Sequence, residues 1–204
     1  MLSNKALYIT LTLLFAITWI WAAINPLHPD DWLIENVLVI LFIPLLVWTS
    51  RYFIFSNISY IMIALFMILH VIGSHYTYAE VPFGVNLGQW VGTDRNMYDR
   101  LVHLLFGMVF SYPLFEFLKK NIGLKGFILY FVVFMTISAF AGFYEVFEWI
   151  GAQIVDPEAG VAFLGTQGDE WDAQKDMALA VVGSFVALMI VRFMGTLDSE
   201  KSST

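Results

Sequence analysis

Three aspartates stand at the beginning of the last apolar stretch of this sequence. Asp169, Asp172 and Asp176 are spaced i, i+3 and i+7, so they fall on one face if the stretch is helical. Carboxylates at the mouth of an apolar helix are costly unless they have partners. Asp169 could alternatively cap the helix, and the other two could simply face its positive N-terminal dipole. A chemical role therefore depends on partners from other segments.

Histidines and carboxylates recur near the ends of three further apolar segments. In chain order they are His70 and His75, Asp99 and His103, and Glu145 and Glu148. The middle pair is spaced i, i+4 and the last pair i, i+3, so each of these pairs shares one helix face. If the segments cross a membrane in alternating directions, all of these ends lie on the same side. We therefore expect one polar site to which four helices contribute.

Imidazole and carboxylate groups gathered at one depth predict a divalent metal ion, since a cation would offset the carboxylate charge. These donors suit an ion of the zinc, manganese or iron class. A bound ion can lower the pKa of water to about 7 and so supply a hydroxide nucleophile. The expected ligands are His70, His75, Asp99, His103 and Asp176.

Four more residues are expected to take part in the chemistry. Glu145, Glu148 and Asp172 are candidates for further ligands or for the general base that accepts a proton from water. Arg100 would hold an anionic group such as phosphate. These roles define a candidate catalytic set around the metal ligands.

Each of these patterns also has an ordinary structural explanation. His70 near a segment end could be a hydrogen-bonded packing residue, and Asp99 with His103 could form an intrahelical hydrogen bond. Glu145 and Glu148 could face solvent at an interface. Arginine and lysine residues could neutralise the acids in a salt-bridge network without any metal. The metal interpretation rests on four segments supplying such groups together, because ionisable residues within membranes are rare.

The composition places the chain in a membrane. Of its 204 residues 59% are hydrophobic and 13% are charged, whereas soluble domains average about 25% charged residues. The sequence contains no cysteine, which excludes disulfides and thiolate metal sites. The net charge of -7 gives no support to nucleic-acid binding.

Apolar runs near the length needed to cross a bilayer, about 20 residues, predict an all-α bundle of six transmembrane helices. They cover residues 5–24, 33–50, 56–75, 97–118, 125–150 and 174–194. The first run is longer than the apolar core of a signal peptide and is predicted to stay uncleaved. Residues 1–197 are expected to form one transmembrane domain, and residues 198–204 a polar cytoplasmic tail.

The placement of Lys and Arg predicts the orientation of the bundle. With both termini in the cytoplasm, seven of these residues lie on the cytoplasmic side and three on the other. The clearest marker is the turn 119–125, which contains three lysines. The two long acidic and aromatic linkers, 76–96 and 151–173, then face the extracytoplasmic side together with the His and carboxylate groups.

Four motifs together resemble the YjdF family of bacterial inner-membrane proteins. They read HVIGSHYTY at 70–78, YDRLVH at 98–103, EVFEW at 145–149 and GTQGDEWDAQKDM at 165–177. The resemblance covers nearly the whole chain, and the acidic last motif is its most specific part. It implies a polytopic protein of the inner membrane, and it implies no particular activity.

The residues favour a metal-dependent membrane hydrolase that acts on a lipid, a lipid-linked molecule or another small molecule at the extracytoplasmic face. Membrane lipids are the expected partners, and nucleic acid is not. One alternative is a transporter or channel for protons or divalent cations, since these also gather acids and histidines. Another is a non-catalytic structural membrane subunit. The nearly apolar cytoplasmic halves of the segments favour a one-sided site over a transport path.

Overall fold

The chain is all-helical in the part that the computed structural model describes, residues 4–155 and 157–201. Eight α-helices are present in these residues, and α5 continues into a π-helical turn at Leu118–Ile122. The helices are α1 (Asn4–Ala22), α2 (Pro29–Thr49), α3 (Asn57–Tyr76), α4 (Pro82–Val91), α5 (Tyr98–Phe117), α6 (Gly126–Ile154), α7 (Pro157–Leu164) and α8 (Asp172–Lys201).

Six of these helices, α1, α2, α3, α5, α6 and α8, are long and apolar enough to cross a membrane, which confirms the predicted fold class. The second span begins at Pro29, earlier than predicted, because proline suits the first helical turn and two acids follow it there. Helix α8 continues to Lys201, so part of the predicted polar tail is helical. Residues 202–204 of that tail lie outside the described residues.

Two short helices were not anticipated, and both lie in the long linkers. Helix α4 occupies the linker between the third and fourth spans, and α7 occupies the linker between the fifth and sixth spans. Each begins at a proline, Pro82 and Pro157 respectively. With fewer than a dozen residues, neither can span a bilayer. They extend the bundle at the end where α3 and α6 finish and where α5 and α8 begin.

Helices α5 and α8 form the most extensive helix pair. Two glycines allow their backbones to meet, since a Cβ atom on Gly107 would clash with the carbonyl oxygen of Ala180, and one on Gly183 with that of Leu104. Small residues at such a seam let membrane helices approach closely. Helix α6 packs against α8 and α5, while α3 packs against α5 and α1. This arrangement places the first turns of α5 and α8 side by side.

We call the end where α5 and α8 begin the outer end, because the Lys and Arg distribution predicts that it faces away from the cytoplasm.

Candidate metal centre

Five ionisable residues from three helices meet at the outer end of the bundle. We call them the acid cluster; they are Asp99 and His103 of α5, Glu145 and Glu148 of α6, and Asp176 of α8. His103 Nε2 lies 3.4 Å from Asp99 Oδ1 and 3.6 Å from Glu145 Oε1. Asp99, His103 and Asp176 are each at most 7% exposed. The histidine is therefore surrounded by carboxylates in a buried position.

The acid cluster has a spacing that suits metal binding. Three groups each bring one ligand atom per residue to within 4.8 Å of the others. The groups are Asp99–His103–Glu148, His103–Glu145–Asp176 and Asp99–Asp172–Asp176. Two buried carboxylate oxygens in this set, Glu145 Oε1 and Asp176 Oδ1, have no hydrogen-bond partner. Buried acceptors without partners are costly, so both oxygens are suited to a further ligand.

Next to the acid cluster lies a second group, which we call the mouth network. It consists of Arg95, Arg100, Lys175, Asp169 and Asp172. Asp172 Oδ1 accepts from Arg95 Nη2 at 2.5 Å and from Arg100 Nη2 at 2.6 Å. Asp169 Oδ2 accepts from Lys175 Nζ at 2.6 Å and from Arg100 at 3.1 Å. The salt bridges predicted as the structural alternative are present in this part of the site.

Backbone and amide contacts hold the loop before α8 onto the loop before α5. Arg95 donates to the carbonyl oxygens of Thr166 and Gly165. The backbone N–H of Asn96 donates to Gln167 Oε1 at 2.8 Å, and Gln167 Nε2 donates to the carbonyl oxygen of Asn96 at 3.1 Å. Gln167 has a φ of 49°, and Gly165 and Gly168 beside it also have positive φ, so the loop turns sharply here. These contacts fix the first turn of α8 against α5.

Asp169 is not the residue that directly precedes α8, because this helix begins three residues later, at Asp172. It is instead paired with Lys175 in the first turn of the helix. Its Oδ1 atom accepts a hydrogen bond from the backbone of Trp171. The hydrogen bonds from the Lys175 ammonium and from this backbone N–H lower the pKa of the Asp169 carboxyl. It therefore stays ionised as a partner of Lys175 and Arg100.

The two groups differ in charge. The three cations of the mouth network face Asp169, Asp172 and one oxygen of Asp176, which lies 3.3 Å from Arg100. Three cations thus meet three carboxylates among the described side chains. Beyond Asp176, the acid cluster has three more carboxylates, and the only base it contains is His103. Carboxyl groups therefore outnumber basic side chains in the acid cluster but not in the mouth network.

Arg100 does not have the free guanidinium that the phosphate-holding role requires. Its Nη2 atom donates to Asp169 and Asp172, and its Nη1 atom donates to the carbonyl oxygen of Asp172 and approaches Asp176. It is also 5% exposed. An arginine with this many acidic partners neutralises them and positions α8 against α5.

His70 lies apart from the acid cluster, contrary to its expected place among the ligands. Its Nε2 atom donates to the carbonyl oxygen of Glu35 at 3.1 Å, and its Nδ1 atom lies 2.5 Å from the hydroxyl of Tyr78. Burial raises the pKa of the Tyr78 hydroxyl well above its usual range, so this hydroxyl stays protonated and donates to Nδ1. Both ring nitrogens of His70 are therefore engaged.

His75 also lies away from the acid cluster, on the side of the bundle formed by α1. Its Nδ1 atom donates to the carbonyl oxygen of Ala22 at 3.1 Å, and its ring packs on Trp21 with centroids 4.5 Å apart. It ties the outer ends of α1 and α3 together. The structure thus brings seven of the nine expected site residues into one region and leaves out both histidines of α3.

Glu35 of α2 belongs to the surroundings of the site and was missed in the sequence. Tyr144 donates its hydroxyl to Glu35 Oε2 at 2.8 Å, and the Tyr144 ring meets His103 edge to face at 5.7 Å between centroids. Glu35 is 3% exposed. An acid inside the predicted apolar span 33–50 is itself a functional signal, and it could have identified this residue.

An apolar groove leads from the acid cluster towards the inner end of the bundle. It has a volume of about 540 Å³ and lies between α2, α3, α5 and α6. His103 and Tyr144 line it at the outer end, and Thr49 and Phe117 at the other. The rest of the lining is almost wholly aliphatic and aromatic. The groove therefore connects an apolar surface of the bundle with the histidine of the acid cluster.

Comparison with known proteins agrees with the observed architecture. Residues 7–196 match the family described as "Predicted membrane protein (DUF2238)". The chain is 34% identical over 191 residues to "Inner membrane protein YjdF" of Escherichia coli (strain K12), an alignment that covers 93% of this chain and 88% of the relative. No solved structure matches it. The chain belongs to the DUF2238 family of membrane proteins and is an integral protein of the bacterial inner membrane.

Proposed function

We propose that this protein is a metal-dependent membrane hydrolase that acts on a lipid or lipid-linked substrate at the outer end of the bundle. The observation that carries the proposal is the apolar groove that ends on His103, the histidine of the acid cluster. A hydrocarbon chain in the groove would place its polar end among these carboxylates. His103 would then lie both at the end of the groove that binds the chain and in the cluster that carries out the reaction.

The composition of the acid cluster indicates which ion would fit. Asp99, His103 and Glu148 offer one ligand set, and Asp176 with Glu145 offers a second that shares His103. With both histidines of α3 engaged elsewhere, one imidazole and four carboxylates remain. Oxygen donors with a single nitrogen favour manganese or iron over zinc. The ion would hold the carboxylates in their ionised form and supply an activated water molecule.

The residues around that water would carry the proton transfers of hydrolysis. With Asp99, His103 and Asp176 as the ligands, Glu145, whose Oε1 atom has no hydrogen-bond partner, would accept a proton from water. The water oxygen would then bond to the acyl carbon or phosphorus of the substrate, while the bond to the leaving oxygen breaks and its electron pair stays on that oxygen. Glu145 would return the proton to the leaving oxygen. Tyr144, anchored by Glu35, would hold the His103 ring in place.

Metal analysis of the detergent-purified protein tests the proposal. We expect manganese or iron bound in the wild type, and its loss in Asp99→Asn and Asp176→Asn. Asp169→Asn is the matched control, because Asp169 lies in the mouth network and in none of the three candidate ligand groups. Hydrolysis of lipid esters or phosphoesters should follow the metal content. A wild type that binds no metal after exposure to both ions would contradict the proposal.

Proteoliposomes separate the hydrolase from a cation transporter. The described residues between His103 and the inner end of the groove are mostly apolar, so we expect no flux of protons or divalent cations. Empty liposomes and the Asp99→Asn variant are the controls. Cation or proton uptake by the wild type that disappears in Asp99→Asn would contradict the hydrolase proposal and indicate a transporter.

A further inference from the structure

Helix α4 carries an exposed apolar stripe although it is too short to span a bilayer. Its sequence, PFGVNLGQWV, contains no charged side chain. Phe83, Trp90 and Val91 are 46%, 73% and 67% exposed, and Leu87 is partly exposed. The spacing i, i+4, i+7 and i+8 places these four side chains along one side of the helix. We call them the α4 stripe.

A different side of α4 is fixed to the loop before α5. A Cβ atom on Gly84 would clash with the side chain of Asn96, and one on Gly88 with the carbonyl oxygen of Arg95. The backbone N–H of Met97 donates to the carbonyl oxygen of Gly84 at 2.9 Å. Because these contacts set the rotation of α4 about its axis, the helix cannot turn to bury the α4 stripe against the bundle.

The neighbours of Phe83 show the depth at which the α4 stripe lies. Phe83 lines an apolar cleft together with Ile17 of α1 and Ile72 of α3, two helices that can cross the membrane. Ile17 lies five residues before the end of α1 and Ile72 four residues before the end of α3, which places both about 6 to 8 Å inside the outer ends of their helices. The Trp90 ring meets that of Phe83 edge to face, with centroids 6.0 Å apart. The stripe therefore begins at a depth that lipid occupies.

We propose that the α4 stripe lies against the lipid at the outer end of the bundle, so that α4 is an interfacial helix. Aromatic and aliphatic side chains at this depth favour the boundary between headgroups and acyl chains. Asn86 and Gln89, which are exposed and lie off the stripe, would face water. The cleft residues Ile17 and Trp21 of α1 are themselves 65% and 40% exposed, so the apolar surface of the spans continues onto α4.

A second copy of the chain fits the α4 stripe less well than lipid does. A helix of ten residues is about 15 Å long and about 10 Å wide, so one side of it presents about 150 Å². A specific protein interface buries about 800 Å² on each partner. Lipid needs no such minimum area, because it already covers the adjoining spans.

The lipid contact of α4 also bears on the mouth network. Arg95 and Asn96, which pack on the glycines of α4, form hydrogen bonds with Thr166 and Gln167 in the loop before α8. An α4 held at the membrane surface therefore helps to hold that loop. The inference depends neither on a bound metal nor on the hydrolase, so it can fail or hold independently of the proposed function.

The absence of cysteine from the chain makes single-site labelling possible. Trp90→Cys and Val91→Cys place a nitroxide on the α4 stripe, while Asn86→Cys and Gln89→Cys are the matched controls on the same helix. All four positions are exposed, so the labels can be accommodated in the fold. The labelled proteins are reconstituted in phospholipid nanodiscs. Power-saturation EPR then compares collisions with oxygen, which concentrates in the bilayer, and with a water-soluble nickel chelate.

We expect the ratio of oxygen to nickel accessibility to be several-fold higher at the two stripe positions than at the two controls. A ratio typical of water at all four positions would overturn the inference. Low accessibility to both reagents at Val91→Cys, together with dipolar coupling between labels, would show contact with a second copy and would overturn it as well.

Discussion

The mouth network and the acid cluster are neighbours at the outer end of the bundle, yet their carboxyl groups differ in the partners that they have. In the mouth network, each carboxylate meets an arginine or lysine within 3.3 Å. In the acid cluster, carboxylates surround one histidine, and two buried oxygens have no hydrogen-bond partner. A satisfied ion-pair network holds elements together, whereas buried oxygens without partners are costly and are suited to a further ligand.

Asp176 connects the two groups, because one of its oxygens lies beside Arg100 and the other has no partner. Acids one helical turn apart on α8, Asp172 and Asp176, therefore differ in role according to what faces them. Substitutions in the mouth network should therefore change stability, and substitutions in the acid cluster should change ligand binding.

The largest effect on stability is expected from removing Arg100. Arg100→Met leaves Asp172 and Asp176 buried with fewer partners, and breaking a buried ion pair costs about 3 to 5 kcal/mol. Unfolding of the purified protein in detergent should show this loss. A variant as stable as the wild type would contradict the structural role of the mouth network.

In the acid cluster, the effect of a neutral substitution should depend on metal. Saturating manganese, at about 100 times its Kd, should stabilise the wild type by about 3 kcal/mol and should not stabilise Asp99→Asn. Without metal, Asp99→Asn should be at least as stable as the wild type, because it relieves repulsion among the carboxylates. Thermal unfolding with and without the ion measures both differences. Equal stabilisation of the two proteins would contradict a metal site at Asp99.

A smaller effect on stability is expected from Tyr144, which forms a hydrogen bond with Glu35 of α2 beside the site. Tyr144→Phe removes the hydroxyl that donates to Glu35 and leaves a buried acceptor unpaired, which costs about 1 to 2 kcal/mol. Metal binding should persist, since Tyr144 belongs to none of the candidate ligand groups. Loss of metal in this variant would show that Tyr144 does more than orient His103.

The smallest effect is expected at the exposed edge of the mouth network. Lys175→Ala removes the ammonium that lowers the pKa of Asp169. A lowered pKa stabilises the folded state above the ordinary aspartate pKa of about 4, and this stabilisation is lost as the pH falls through the lowered value. The small stability difference between the wild type and Lys175→Ala should therefore disappear in acid. A difference that persists there would point to lost packing instead.

The sequence was sufficient to predict the six spans and the depth of the polar residues. Apolar runs set the spans, and alternating direction brings their outer ends together. The i, i+4 spacing of Asp99 and His103 predicts a shared face, and the two side chains lie 3.4 Å apart. These features depend on local periodicity, which a single sequence contains.

The sequence could not predict which neighbour each helix faces. His70 and His75 lie at a suitable depth, but one points to Glu35 and Tyr78 and the other to α1. The left-handed turn at Thr77, with a φ of 55°, folds Tyr78 back onto α3, where the Tyr78 hydroxyl forms a hydrogen bond with His70. Such a tertiary contact leaves no periodic signal in the chain.

The proposed function depends on a metal ion bound by the acid cluster. The sharpest test is an experimental structure of protein loaded with manganese, with diffraction recorded at the manganese absorption edge. We predict an anomalous peak within ligand distance of Asp99, His103 and Asp176. Ordered side chains with no peak there, in crystals whose soak contains the ion, would contradict it.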